Sequence, residues 1–167
     1  RPERIAEAYT GIGKVHLQEA RFEQAIAAIN KADAASPIDA GLASSLAFAY
    51  QSIGDLAAAQ AAIDRAIASW DALRKKDSLG EIDRLTLLEQ QGHAYRLAQQ
   101  IAMQRGEPLR ALEIAEQTRA RSLVERFLGS EKNGFLDADQ IKALARRMDT
   151  TILYYAVTGR ELRVDSV

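Results

Sequence analysis

The side chains that could move a proton or hold a metal near neutral pH are two histidines, His16 and His93. Neither is expected to join a helical His/His or His/carboxylate pair of metal-site type. His16 is expected to pack between helices, and His93 to face solvent on a helix. There is no cysteine, so disulfides, thiolate metal sites and a cysteine nucleophile are excluded in this chain. No nucleophile elbow is present for a serine hydrolase, and no glycine-rich loop cradles phosphate. Arg105, Arg110, Arg119, Arg121 and Arg126 resemble a basic patch, but Glu107, Glu113, Glu116 and Glu125 interleave with them. That pattern reads as a solvated, self-paired face rather than a nucleic-acid site. Tyr154-Tyr155 sits among apolar neighbours and reads as sheet packing rather than base stacking. The expectation is therefore no catalytic residue, no cofactor and no metal.

The elements that carry these residues are helical. Hydrophobic residues make up 47% of the 167 positions, aromatics only 6%, and there are three prolines; with abundant alanine this composition favours helices. The net charge of -1 supplies no field to attract nucleic acid or an anionic membrane. No apolar run approaches the ~18–20 residues of a membrane helix. With Arg1-Pro2 opening no leader-like run, the expected location is cytoplasmic.

An internal repeat organises the chain. Ala25, Ile29 and Ala32 recur 34 residues later as Ala59, Ile63 and Ala66. Ile12 recurs as Leu46, His16 as Tyr50, Ala20 as Gly54 and Phe22 as Leu56. Gly13 and Ala25 are small where two helices must approach closely. Ser36 and Pro37 are expected to start the second unit's first helix, with Asp39 in its first turn. The third occurrence is displaced: Gly106 and Ala111 follow Gly54 and Ala59 by 52 residues. The excess over 34 is about five turns of helix. Two helices are therefore expected to run long, with a capping box at Ser78–Glu81 between them. The stretch Glu107–Leu128 closes the array: Pro108 follows Gly106, and Leu112, Ala115, Val124, Phe127 and Leu128 give one helix a buried face.

Tyr9, Ile12-Gly13, Phe22, Ala25, Ala32 and Pro37 in the first unit resemble the tetratricopeptide repeat, as do Tyr50, Gly54, Ala59 and Ala66 in the second. The resemblance implies a mainly α fold, a right-handed α–α superhelix with units near residues 6–39, 40–76 and 81–128. It also implies a protein-interaction role.

The composition changes after Leu128. Residues 129–134 read as a polar linker, and Asp137 and Gln140 as the caps of a short helix to about Met148. Thr151–Val157 and Glu161–Val167, around Thr158-Gly159-Arg160, read as a β-hairpin. The run Ala-Glu-Gln-Thr-Arg-Ala-Arg-Ser-Leu of residues 115–123, followed by the helix and hairpin of residues 136–167, resembles the passage from a last repeat into a CHAT domain. That family comprises caspase-like and separase-like cysteine peptidases. The resemblance implies that residues 150–167 begin such a domain; its catalytic His and Cys would lie downstream, and no residue here takes their role.

Stacked units place each first helix on the concave side. The residues expected there are Thr10, Lys14, Gln18, Ser44, Phe48, Gln51, Arg96, Gln100 and Met103. Only Lys14 and Arg96 among them are basic and no asparagine accompanies them, which disfavours a clamp for a peptide's terminal carboxylate. The expected function is a non-enzymatic scaffold that binds a protein, a peptide or the downstream domain, recruiting partners for a CHAT peptidase or regulating it. The alternatives are a structural oligomerisation module and a fragment of a hydrolase with an incomplete active site. A hairpin whose first strand is apolar on both faces leaves an edge and a face uncovered. Homodimerisation through it is the expected result: light scattering should give a higher mass for residues 1–167 than for residues 1–149, and equal association states would remove the hairpin as the contact.

Overall fold

The computed structural model describes residues 1–74, 81–127, 137–151, 153–158 and 161–166, with side chains at 1–73, 91–118 and 137–151. The described chain is mainly helical. Its helices are α1 (Pro2–Gln18), α2 (Phe22–Ala35), α3 (Ala40–Ser52), α4 (Leu56–Arg74), α5 (Glu81–Gln104), α6 (Pro108–Phe127) and α7 (Ala138–Arg147). Two compact units divide at Leu97/Ala98, within α5.

In the first unit α1 packs on α2 and α3 on α4, and α2 also lies along α3. The closest approach is at Gly13. A Cβ there would stand 2.7 Å from Ile29 Cγ1, and Ile29 is fully buried. One repeat later Ala47 and Ile63 occupy these positions, both fully buried. Ala25, Ala32, Ala59 and Ala66 are also inaccessible. Small side chains let the backbones come together, and Ile29 and Ile63 fill the space that remains. Polar links join neighbouring helices: Asn30 Nδ2 donates to the Tyr50 hydroxyl at 3.0 Å, Arg65 pairs with Asp33, and Lys31 Nζ stands 5.3 Å from the Tyr9 ring centroid.

The turns between paired helices are built alike. Ala20, Gly54 and Gly106 all have positive φ, at 54°, 82° and 74°. The residue after each donates to a carbonyl five positions back: Arg21 to His16, Asp55 to Tyr50, and Glu107 to Ala102. These are Schellman closures, in which the left-handed residue turns the chain back onto its helix. The shared geometry fixes Gly106 as the third turn, 52 residues after Gly54. The excess length lies in α4 and α5, of 19 and 24 residues against 14 for α2 and 13 for α3. The Ser78–Glu81 capping box falls largely outside the described residues.

The start of α3 differs from expectation. Asp39, not Ser36, is the N-cap, accepting the Leu42 amide at 2.7 Å. Ser36 ends α2 in extended geometry, and Asp33 Oδ1 accepts the Ile38 amide across the connection. A carboxylate three residues before a free amide has the reach and charge for that end of a helix, and Asp39 holds the place.

In the second unit, α6 buries Ala111, Leu112 and Ile114, while Ala115 is half-buried. Val124, Phe127 and Leu128 lie outside the described side chains. Asp137 and Gln140 form the capping box of α7, and Glu113 Oε1 of α6 accepts the Ala138 amide at 3.0 Å. α7 buries Ala138, Ile141 and Ala145. Leu153–Thr158 (β1) and Glu161–Ser166 (β2) pair antiparallel, Leu153 opposite Ser166 and Thr158 opposite Glu161.

The two glycines of α1 separate packing from propensity. Gly13→Ala should cost roughly 1–3 kcal/mol by overpacking against Ile29. At Gly11 an added Cβ meets nothing within 4 Å, so Gly11→Ala should stabilise by up to about 1 kcal/mol through helix propensity. Thermal denaturation of the two variants checks both signs; a stabilising Gly13→Ala would contradict the helix contact.

Candidate partner-binding face

The residues assigned to the partner face come from first helices of successive pairs. Thr10, Lys14 and Gln18 follow one another at i, i+4 and i+8 on α1, and share one side. Thr10 is half-buried, Lys14 and Gln18 exposed. Ser44, Phe48 and Gln51 stand at i, i+4 and i+7 on α3, with Ser44 and Gln51 half-buried.

Phe48 dominates this set. It is 48% exposed although it is a large apolar side chain. Its ring meets Phe22 edge-on, with centroids 5.8 Å apart and planes at 82°. Such a pair holds an aromatic side chain in place without covering its outer surface. The neighbouring hydroxyls turn inward. Ser44 Oγ donates to the Ala40 carbonyl, Ser45 Oγ to Gly41 and Ser52 Oγ to Phe48. Those hydroxyl protons are committed to α3 itself, so what α3 offers around Phe48 is largely apolar.

Arg96 is exposed on α5, and its guanidinium lies 2.9 Å from His93 Nδ1. A guanidinium only donates, so Nδ1 is the acceptor. His93 is exposed, as its position on the helix implies. Gln100 is half-buried. Met103 departs from expectation: only 9% exposed, it belongs to the core with Ile101 and Ala102. Three consecutive residues of α5, Ile101–Met103, are all covered, and Met103 is no longer a surface candidate.

His16 departs as well. It packs as expected, with 22% of its side chain exposed, but its Nδ1 stands 4.0 Å from Glu19 Oε2. That is a helical His/carboxylate pair at i, i+3, which the sequence reading excluded. Among the described residues no three His, Asp or Glu side chains gather as a metal site would require. Of the suspected basic patch, Arg105 Nε bonds Glu107 Oε1 at 2.8 Å, and Glu113 is spent on capping α7. The side chains of Arg119, Arg121, Glu125, Arg126, Tyr154 and Tyr155 lie outside the described residues. No helix among the described residues is long and apolar enough to cross a membrane.

Several structural contacts carried no sequence signal. Glu113 and Ala138 are 25 residues apart, and Asp33 and Arg65 are 32 apart; pairings at such separations have no local pattern. The seams between repeats were legible only as periodicity.

With paired helices, close-packed small residues and repeated left-handed turns in view, the comparison with known families is direct. Residues 6–39 match the tetratricopeptide repeat. The match covers α1 from Ala6 onward, α2 and the connection to α3, the unit in which Gly13 meets Ile29. Nothing among the curated proteins matches the chain. Tetratricopeptide repeats are protein-interaction motifs without catalytic machinery, and the match points to an interaction role for residues 6–39.

Burial separates two neighbours of the α5 set. Met103→Ala should destabilise by about 2–5 kcal/mol, whereas Gln100→Ala should stay within about 0.5 kcal/mol. Chemical denaturation checks the contrast, and equal small effects would return Met103 to the surface set.

Proposed function

We propose that this chain is an interaction scaffold whose first helices bind an extended or helical peptide segment of a protein partner. Phe48 is the anchor, with Lys14 and Gln18 as polar contacts on α1 and Arg96 as a further cation on α5. The observation that carries this reading is the half-exposed Phe48 ring buttressed by Phe22. A rigid aromatic side chain bordered by self-satisfied hydroxyls is the kind of residue on which binding energy concentrates. In this reading the scaffold recruits partners for, or regulates, a CHAT-type peptidase domain that would follow it. The antiparallel pair β1–β2 would open the sheet of that domain, and its free edge would pair with the next strand. When that strand is missing, the same edge supports association of two copies.

The test begins with peptides selected from a random display library on the full chain. Phe48→Ala should weaken the selected peptides by at least about tenfold, a loss of about 1.4 kcal/mol. The variant should unfold within about 1 kcal/mol of the native chain, since Phe48 is half in solvent. Peptides that bind the variant as tightly as the native chain would remove Phe48 as the anchor.

A further inference from the structure

α7 is closed at both ends by its own residues. Asp137 and Gln140 form the capping box at its start. At its other end Asp149 has a φ of 47°, and the Thr150 amide donates to the Ala145 carbonyl at 3.1 Å. That is the left-handed closure found after α1, α3 and α5. The helix between these stops has 10 residues, fewer than the ~12–15 at which a lone helix is even marginal in water. It buries little: Ala138, Ile141 and Ala145, with Leu144 half-buried. α2, by comparison, buries two isoleucines and three alanines. The charged side of α7 faces itself or solvent. Lys142 Nζ stands 3.8 Å from Asp139 Oδ1 within the helix, and Arg146 and Arg147 are exposed.

A bond at its first turn ties α7 to α6. The opening amides of a helix have no partner inside it. Gln140 N donates to Asp137 Oδ1 at 2.8 Å, a partner that α7 brings with it. Ala138 N donates instead to Glu113 Oε1 of α6 at 3.0 Å. Ala138 is 7% exposed, so without Glu113 its amide is buried with an unmade bond, which is costly. A carboxylate at the positive end of a helix also makes a stronger bond than a neutral acceptor would. This bond differs in kind from the capping box. The box forms whenever α7 is helical; the Glu113 bond forms only when α7 is both helical and docked.

We propose that α7 is a detachable helix, docking on α6 and leaving it as one unit, with Glu113 as its latch. Local opening of this kind belongs to segments with few buried apolar groups. The caps of α7 define where it starts and stops, so it separates without unravelling α6. Release uncovers Ala138, Ile141 and Ala145, which lie at i, i+3 and i+7 on one side of the helix. β1 begins at Leu153, shortly after α7 ends at Arg147, so the docking of α7 fixes where the β pair starts. The latch is a conformational control on that pair, and it uses none of the residues assigned to the partner face.

Amide hydrogen exchange on the full chain tests the latch. In the native chain the amides of residues 142–147 should exchange together, and faster than those of α2 and α3. Glu113→Ala should speed residues 142–147 by a common factor of about ten, the scale of a buried amide losing its acceptor, and leave α2 and α3 unchanged. Glu113→Gln keeps an acceptor oxygen and should fall between the two. Ile141→Ala trims the one large buried side chain of α7 without touching α6, and should speed the same amides. Acceleration confined to residues 138–141 in Glu113→Ala would show fraying of one turn rather than release, and would overturn the proposal. Acceleration of residues 111–118 of α6 by the same factor would overturn it as well, since the two helices would then open together. Native α7 amides as slow as those of α3 would show a helix that does not detach.

Discussion

The contact on which the rest depends is the seating of Ile29 against Gly13. With no side chain at Gly13, the α1 backbone comes close enough for a β-branched residue to fill the interface, and the cross-section of the pair is set there. The pair can close only if the chain reverses sharply after α1. A left-handed residue at position 20 and the carbonyl of His16 accomplish that reversal. The next pair repeats the arrangement with Ala47, Ile63 and Gly54. Alanine-rich helices contribute little hydrophobic area per residue. Their stability therefore rests on closeness of packing, which makes small residues at fixed intervals the controlling feature.

That constraint assigns the faces of each first helix. One side is consumed by the partner helix and another by the preceding pair. What remains is a single surface, with Lys14 on α1 and Phe48 on α3. On α3 the serines turn their hydroxyls back to the helix, and the exposed aromatic ring is propped from beside rather than covered. That side is one that packing leaves uncovered.

Much of this architecture was legible in the residues alone. The 34-residue recurrence of Ala25, Ile29 and Ala32, the 52-residue step to Gly106 and the elongation of two helices all follow from spacing, because a helix repeats its faces every 3.6 residues. The Asp137–Gln140 capping box was equally readable, since both partners lie within one turn. Periodicity also placed Phe48 on a side away from its partner helix. It did not show how wide the buried arc of α5 is, so Met103 was counted with the surface although it is buried.

What only the tertiary structure decided was which periodic positions are covered. Ile12 and Leu46 are equivalent in sequence, yet one is half in solvent and the other is in the core, because α2 lies along α3 while α1 has its outward seam open. The choice of Asp39 over Ser36 as cap depended on where the backbone enters α3. The links Asn30–Tyr50, Asp33–Arg65 and Glu113–Ala138 join residues 20 or more positions apart. Local sequence determines which face a helix has to bury, through the fixed geometry of one turn. Which neighbour buries it is a property of the whole chain, since burial requires a second surface that no single helix encodes.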